Sequence, residues 1–92
     1  MTQRLTGEVV LVTGAAGGIG SAVATVAARE GAVVAGVDLV EPEVTGCAAF
    51  VRADVSREED VTRAVAELAD RLGPPTVLVN NAGVNAHSDR SP

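Results

Sequence analysis

One eight-residue run, Thr13-Gly14-Ala15-Ala16-Gly17-Gly18-Ile19-Gly20, does most to restrict what this chain can fold into. It follows the apolar run Val9-Val10-Leu11-Val12 and opens a proline-free stretch, 19–29, that stops before Gly31. A strand turning sharply into a helix needs backbone angles that glycine alone reaches cheaply. Missing side chains also let an anion approach the main chain. The helix N-terminus freed in this way offers N–H donors and the positive end of its dipole. Gly14, Gly17, Gly18, Ile19 and Gly20 are therefore candidate contacts to a pyrophosphate, and Gly20 also lets helix and strand pack closely. A Walker-type triphosphate loop is excluded, because no Gly-Lys-Ser/Thr follows and the chain has no Lys.

Around this motif the chain alternates between strand-like and helix-like segments. Apolar runs at 9–12, 32–37, 48–53 and 77–79 read as strands, and three of them are rich in Val, as strands buried on both faces are. Residues 19–29 read as one helix. The second begins at a Ser56-x-x-Glu59 capping box and places Val61, Val65, Leu68, Ala69 and Leu72 on one face before Gly73-Pro74-Pro75 ends it. Strands alternating with helices predict an α/β fold with about four parallel strands and two main helices. The link 39–47 contains Pro42 and is too short for a crossover helix, so it reads as a loop or single turn. Residues 85–92 are polar and read as a loose tail.

Composition then bounds the function. With 92 residues, 47% of them hydrophobic and 21% charged, the chain reads as one globular domain over 1–92. Its net charge of −5 does not suit a protein that coats phosphates, which argues against nucleic acid as a partner. A single Cys cannot form a disulfide within the chain and fits a reducing, cytoplasmic setting. Residues 9–28 carry no charge, but their glycines, serine and threonines interrupt the apolar run, so neither a membrane span nor a signal peptide is expected.

Two acidic positions extend the glycine loop toward a nucleoside. Asp38 ends the second strand, and a carboxylate there can accept hydrogen bonds from both hydroxyls of an adenosine ribose. It would repel a 2′-phosphate, and no basic residue follows in Leu39-Val40-Glu41. Both points favour NAD over NADP. Asp54-Val55 closes the third strand. Asp54 can accept from an adenine amino group while Val55 offers its backbone N–H, or Asp54 can serve local capping with Ser56.

Asn80-Asn81-Ala82-Gly83 stands at the end of the fourth strand. Together with Thr13-Gly14-x-x-x-Gly18-x-Gly20, Asp38 and Asp54-Val55, it resembles the N-terminal half of a short-chain dehydrogenase/reductase. The resemblance runs from Leu5 to about Ala86. It implies a doubly wound Rossmann fold that binds NAD or NADP, with the glycine loop on the pyrophosphate. It places Asn81 and Ala82 near the nicotinamide-side ribose. Asn80 reads as a structural brace between strands.

The family's proton chemistry belongs to a Tyr-x-x-x-Lys pair, a Ser and a later Asn, all beyond Asn-Asn-Ala-Gly. No position up to Pro92 matches them, and the chain has neither Tyr nor Lys. His87 in the tail reads as a surface residue, Cys47 as a packing or loop thiol, and neither Ser88 nor Ser91 substitutes for the missing groups. The expectation is therefore the cofactor-binding half of an NAD-dependent oxidoreductase acting on alcohols and ketones, inactive alone, whose full-length parent is a homo-oligomer. A small dinucleotide-binding module without chemistry, or a remnant that needs a partner to fold, are the alternatives. In each case the fourth strand would leave an open, Val-rich edge.

Overall fold

The computed structural model describes residues 3–40 and 46–81. Its elements alternate as β1 (Val9–Thr13), α1 (Gly18–Arg29), β2 (Val33–Asp38), β3 (Ala49–Arg52), α2 (Glu58–Leu72) and β4 (Val77–Asn80). All strand pairs are parallel, in the order β3-β2-β1-β4. The expected α/β architecture, four parallel strands with two helices, is what forms. Parts of the expected link 39–47, all of the tail 85–92, and Ala82, His87, Ser88 and Ser91 lie outside the described residues.

Alternation along the strands sorts side chains onto two faces. Val10, Val12 and Val34 point to one face and bury against Ala24 and Ala27 of α1. Leu11, Ala35, Val37, Ala49 and Val51 point to the other and bury against Ala64 and Leu68 of α2. A helix on each side explains why β1 and β2 are almost continuously apolar. α1 buries small residues, Gly20, Ala24 and Ala27, so it sits close to the sheet. α1 ends at Arg29 with Glu30 as its C-cap, and Gly31 then takes φ 94°, a left-handed turn that suits glycine.

α2 is the more strongly two-sided helix. Its first turn carries Glu58, Glu59 and Asp60 and its last turn Arg71, which complements the helix dipole. Arg63 reaches Asp60 and Glu67, and Arg71 reaches Glu67, at 3.7–3.8 Å on the exposed face. Exposed pairs of this spacing contribute a few tenths of a kcal/mol each, so helix position depends on Ala64 and Leu68 rather than on charge.

The expected capping box is not made. α2 starts later, with Arg57 as its N-cap and no side-chain cap bond. Ser56 instead donates both its hydroxyl, at 2.6 Å, and its amide, at 3.0 Å, to Oδ1 of Asp54. Asp60, not Glu59, reaches back, and its Oδ2 accepts the Asp54 amide at 3.1 Å. An acidic residue two positions before a serine captures it in a local turn, which competes with helix capping.

β4 lies at the edge of the sheet among the described residues. Val77 is 38% and Leu78 62% exposed. An apolar cleft opens on each face beside it. One, of about 380 Å³, is lined by Leu5, Val23, Val26, Val77 and Val79. The other, of about 370 Å³, is lined by Leu11, Val61, Val65, Pro75 and Leu78.

Candidate functional site

The candidate site forms where the C-terminal ends of β1, β2, β3 and β4 meet the start of α1. β1 ends in Thr13, and the chain turns at Gly14, whose φ is 70°. Gly14 and Ala15 stay tied to the sheet through amide bonds to the Val37 carbonyl, at 2.8 and 3.3 Å. The Gly17 amide donates to the Gly14 carbonyl at 3.1 Å and closes the turn. Gly17 is the N-cap of α1, with an extended backbone and no side-chain cap bond. The amides of the first helical turn have no acceptor within the helix, and no cap side chain takes them. Gly17, Gly18 and Ile19 are exposed, so this donor set faces outward.

The glycines divide into two kinds. A Cβ on Gly18 would meet nothing within 4 Å, and one on Gly17 only the Gly14 carbonyl oxygen at 3.5 Å. These two keep the outer surface of the turn bare. A Cβ on Gly20 would stand 2.0 Å from the Gly14 oxygen. That glycine is required by the inner packing of helix on turn. The residues fit a diphosphate: a bare outer surface, several convergent N–H donors and a helix N-terminus.

Asp38 ends β2 and comes beside the loop. Its Oδ2 accepts the Ala16 amide at 2.9 Å, and its Oδ1 accepts the Leu39 amide at 2.7 Å. The carboxylate is thereby held at the loop rim, half-buried. Sequence reasoning did not foresee the tie to Ala16, because a backbone donor leaves no residue signature. Asp54 sits at the end of the neighbouring strand and is engaged locally, by Ser56. Those bonds hold the Asp54 carboxyl below the ordinary aspartate range. Asp54 thus holds Ser56 in a local turn ahead of α2. Val55 follows it and packs partly against the α2-side core.

The end of β4 braces the same turn. Thr13 Oγ1 donates to Asn80 Oδ1 at 3.0 Å, so Asn80 ties β4 to β1 as a structural brace. Asn81 is 7% exposed, and its Nδ2 donates to the Gly14 carbonyl at 3.4 Å. Gly36 was also missed. A Cβ there would lie 2.7 Å from Cys47 Sγ and 3.0 Å from Ala15 Cβ, so β2 and the loop touch only because residue 36 has no side chain. A glycine inside a valine-rich strand is the signal that marks such a close approach. Among the described residues no group of three or more His, Cys, Asp or Glu is placed to hold a metal, and no helix is long and apolar enough to cross a membrane.

A parallel sheet ordered β3-β2-β1-β4, with a glycine turn at the head of its first helix, defines a Rossmann-like α/β protein. Residues 8–91 match the model of the short chain dehydrogenase family, and the chain belongs to that family. It is 47% identical over 91 residues to a 3-beta-hydroxysteroid dehydrogenase of Comamonas testosteroni, covering 91% of this chain and 36% of that protein. Its fold matches the aldohexose dehydrogenase of Thermoplasma acidophilum with a TM-score of 0.79 and 31% identity, over 88% of this chain and 31% of that one. It also matches an NADH-dependent reductase complexed with NAD, with a TM-score of 0.76 and 34% identity, over 87% of this chain and 38% of that one. The chain thus spans about a third of the length of each of these proteins.

Proposed function

We propose that these residues form the cofactor-binding half of an NAD-dependent oxidoreductase that interconverts an alcohol and a ketone. The observation that carries this reading is the juxtaposition of the uncapped start of α1 with the Asp38 carboxylate at its rim. The loop amides of Gly18, Ile19 and Gly20 receive the pyrophosphate. Asp38 accepts from the adenosine ribose hydroxyls and repels a 2′-phosphate, which selects NAD over NADP. Asp54 and Val55 are assigned to the adenine, and Asn81 and Ala82, by the family resemblance, to the nicotinamide-side ribose. NAD supplies hydride transfer at its nicotinamide ring, and this chain's residues bind and orient it.

The family's Tyr and Lys have no counterpart in these 92 residues, which contain neither residue type. The chain is therefore proposed to bind cofactor without catalysing the reaction. The whole protein is proposed to be cytoplasmic and homo-oligomeric. Titration with NADH, followed by the cofactor's own fluorescence, tests the reading. Saturable binding that NAD displaces is expected, together with no turnover of ketones. A failure to saturate overturns the binding reading, and ketone reduction by the chain overturns the assignment of chemistry elsewhere. A second reading, a segment that needs a partner to fold, is favoured by the exposed edge of β4. A cooperative unfolding transition at low concentration would count against it.

A further inference from the structure

Asp38 is not the only charged side chain at the adenosine end of this site. Arg52 closes β3 and stands in register with Asp38. Alternation puts both on the face of the sheet covered by α1, because Val34 on β2 and Phe50 on β3, each an even number of residues earlier, pack there. Backbone bonds hold the two strand ends together. The Ala53 amide donates to the Asp38 carbonyl at 2.9 Å, and Arg63 Nη2 donates to the Arg52 carbonyl at 3.3 Å. On its β1 side the Asp38 carboxylate meets the glycine turn, through the Ala16 amide. Arg52 stands on the opposite flank, on β3. Neighbouring strands lie ~4.8 Å apart, so a flexible arginine side chain reaches the space in front of Asp38.

The charge on Arg52 is uncommitted. Arg57 and Arg63, at the same end of the sheet, each lie 3.7 Å from an acidic side chain. Arg52 is exposed and makes no ion pair among the described residues. Asp38, by contrast, has both oxygens engaged by backbone amides, Oδ2 by Ala16 and Oδ1 by Leu39. An anion placed before Asp38 therefore meets a carboxylate that two N–H donors partly offset. One strand away it meets a cation with no partner.

We propose that Arg52 is a specificity-determining residue at the adenosine ribose: its guanidinium receives a 2′-phosphate, so the site takes NADP(H) as well as NAD(H), with a narrower preference for NAD(H) than the Asp38 carboxylate alone would set. This rests on the cofactor-binding reading above and deepens it. A guanidinium presents a planar fork of N–H donors that matches phosphate oxygens. The ribose hydroxyls of NAD stay with Asp38, so the effect of Arg52 falls on the 2′-phosphate and on no other part of the cofactor.

Wild type, Arg52→Gln, Arg52→Lys and Arg52→Glu are titrated with NADH and with NADPH by cofactor fluorescence. Wild type is expected to bind both, NADH more tightly. In R52Q the NADPH dissociation constant should rise about fivefold, as for a charge-assisted bond at an exposed site, while that for NADH moves by about twofold or less. R52E should widen the gap further, and R52K should restore most of the loss. High salt should shrink the difference between wild type and R52Q, because exposed charges are screened. Adenosine 2′,5′-bisphosphate compared with AMP should repeat the pattern without a nicotinamide half. Equal losses for NADH and NADPH would make Arg52 a contact to a shared part of the cofactor and overturn the proposal. An unchanged ratio of the two constants would overturn it too, as would saturable NADH binding with no NADPH binding. In each of those cases the cofactor reading stands. If wild type binds neither dinucleotide, both readings fall. Arg52 is exposed, so the urea midpoints of the variants should match wild type.

Discussion

Gly20 lies against the carbonyl of Gly14 so closely that a β-carbon on it would stand 2.0 Å from the oxygen and 2.8 Å from the carbon. Neither atom can step aside, because both belong to the backbone of the turn. Gly20→Ala is therefore expected to push α1 away from β1. The cost should be about 1–3 kcal/mol or more, as for other overpacked sites, and NADH binding should be lost with it. Urea unfolding and NADH titration of G20A check this. Gly18→Ala, where the space is open, is the comparison and should leave stability within about 1 kcal/mol.

Gly36 and Cys47 offer a paired test. A methyl at residue 36 meets Cys47 Sγ at 2.7 Å, Ala15 Cβ at 3.0 Å and Phe50 Cδ1 at 3.3 Å. Gly36→Ala should destabilise by about 1–3 kcal/mol. Adding Cys47→Ala removes the nearest obstacle, so the double variant should recover part of that loss. A coupling of about 0.5 kcal/mol or more is expected from urea midpoints of the four proteins.

Asp54 makes the acid limit of the α2 start measurable. Its carboxyl is held below the ordinary aspartate range first by the Ser56 hydroxyl and then by the Ser56 amide. Its folded-state value therefore lies below its unfolded one. The stabilisation it brings is complete above the unfolded value, about 3.9, and is lost as pH falls through the folded value. Titration of the Asp54 side chain by NMR should show the depressed midpoint. Ser56→Ala should raise that midpoint toward the ordinary range, and an unmoved midpoint would count against the assignment.

Cofactor preference should follow Asp38. Replacing it with Ser and Leu39 with Arg removes the charge that opposes a 2′-phosphate and supplies one that attracts it. The ratio of NADPH to NADH dissociation constants is expected to shift by about tenfold or more toward NADPH. Asp38 also accepts the Ala16 amide, so affinity for both cofactors should fall somewhat in the same variant. Paired fluorescence titrations measure both effects.

Much of this was legible in the residues. β1, α1, β2 and β4 follow from valine runs, the glycine loop and Gly31, and their observed bounds differ from the expected ones by a residue or so. Local chemistry is less legible at α2. The pattern Ser56-x-x-Glu59 looks like a cap, yet Asp54 lies two residues before Ser56 and takes its hydroxyl first. The site's cross-ties were the least legible. Ala16 to Asp38, Asn81 to Gly14 and Gly36 to Cys47 join positions 22, 67 and 11 residues apart (38 − 16, 81 − 14, 47 − 36). Such ties depend on how strands are ordered in the sheet, which neither period nor propensity records. Gly36 alone left a trace, as a glycine where a strand interior would favour a β-branched residue.

The sheet order has a consequence for synthesis. β1 is flanked by β2 on one side and by β4 on the other, and the Thr76 hydroxyl that accepts the Val9 amide lies 67 residues further along the chain. At ~5–20 residues per second, a ribosome needs about 3–13 seconds to supply that second neighbour. Until then the most buried strand of the finished protein keeps one backbone edge and much of its Val-rich surface unpartnered. The nascent chain is thus at its stickiest while its glycine turn, already synthesised, has no β4 to hold it.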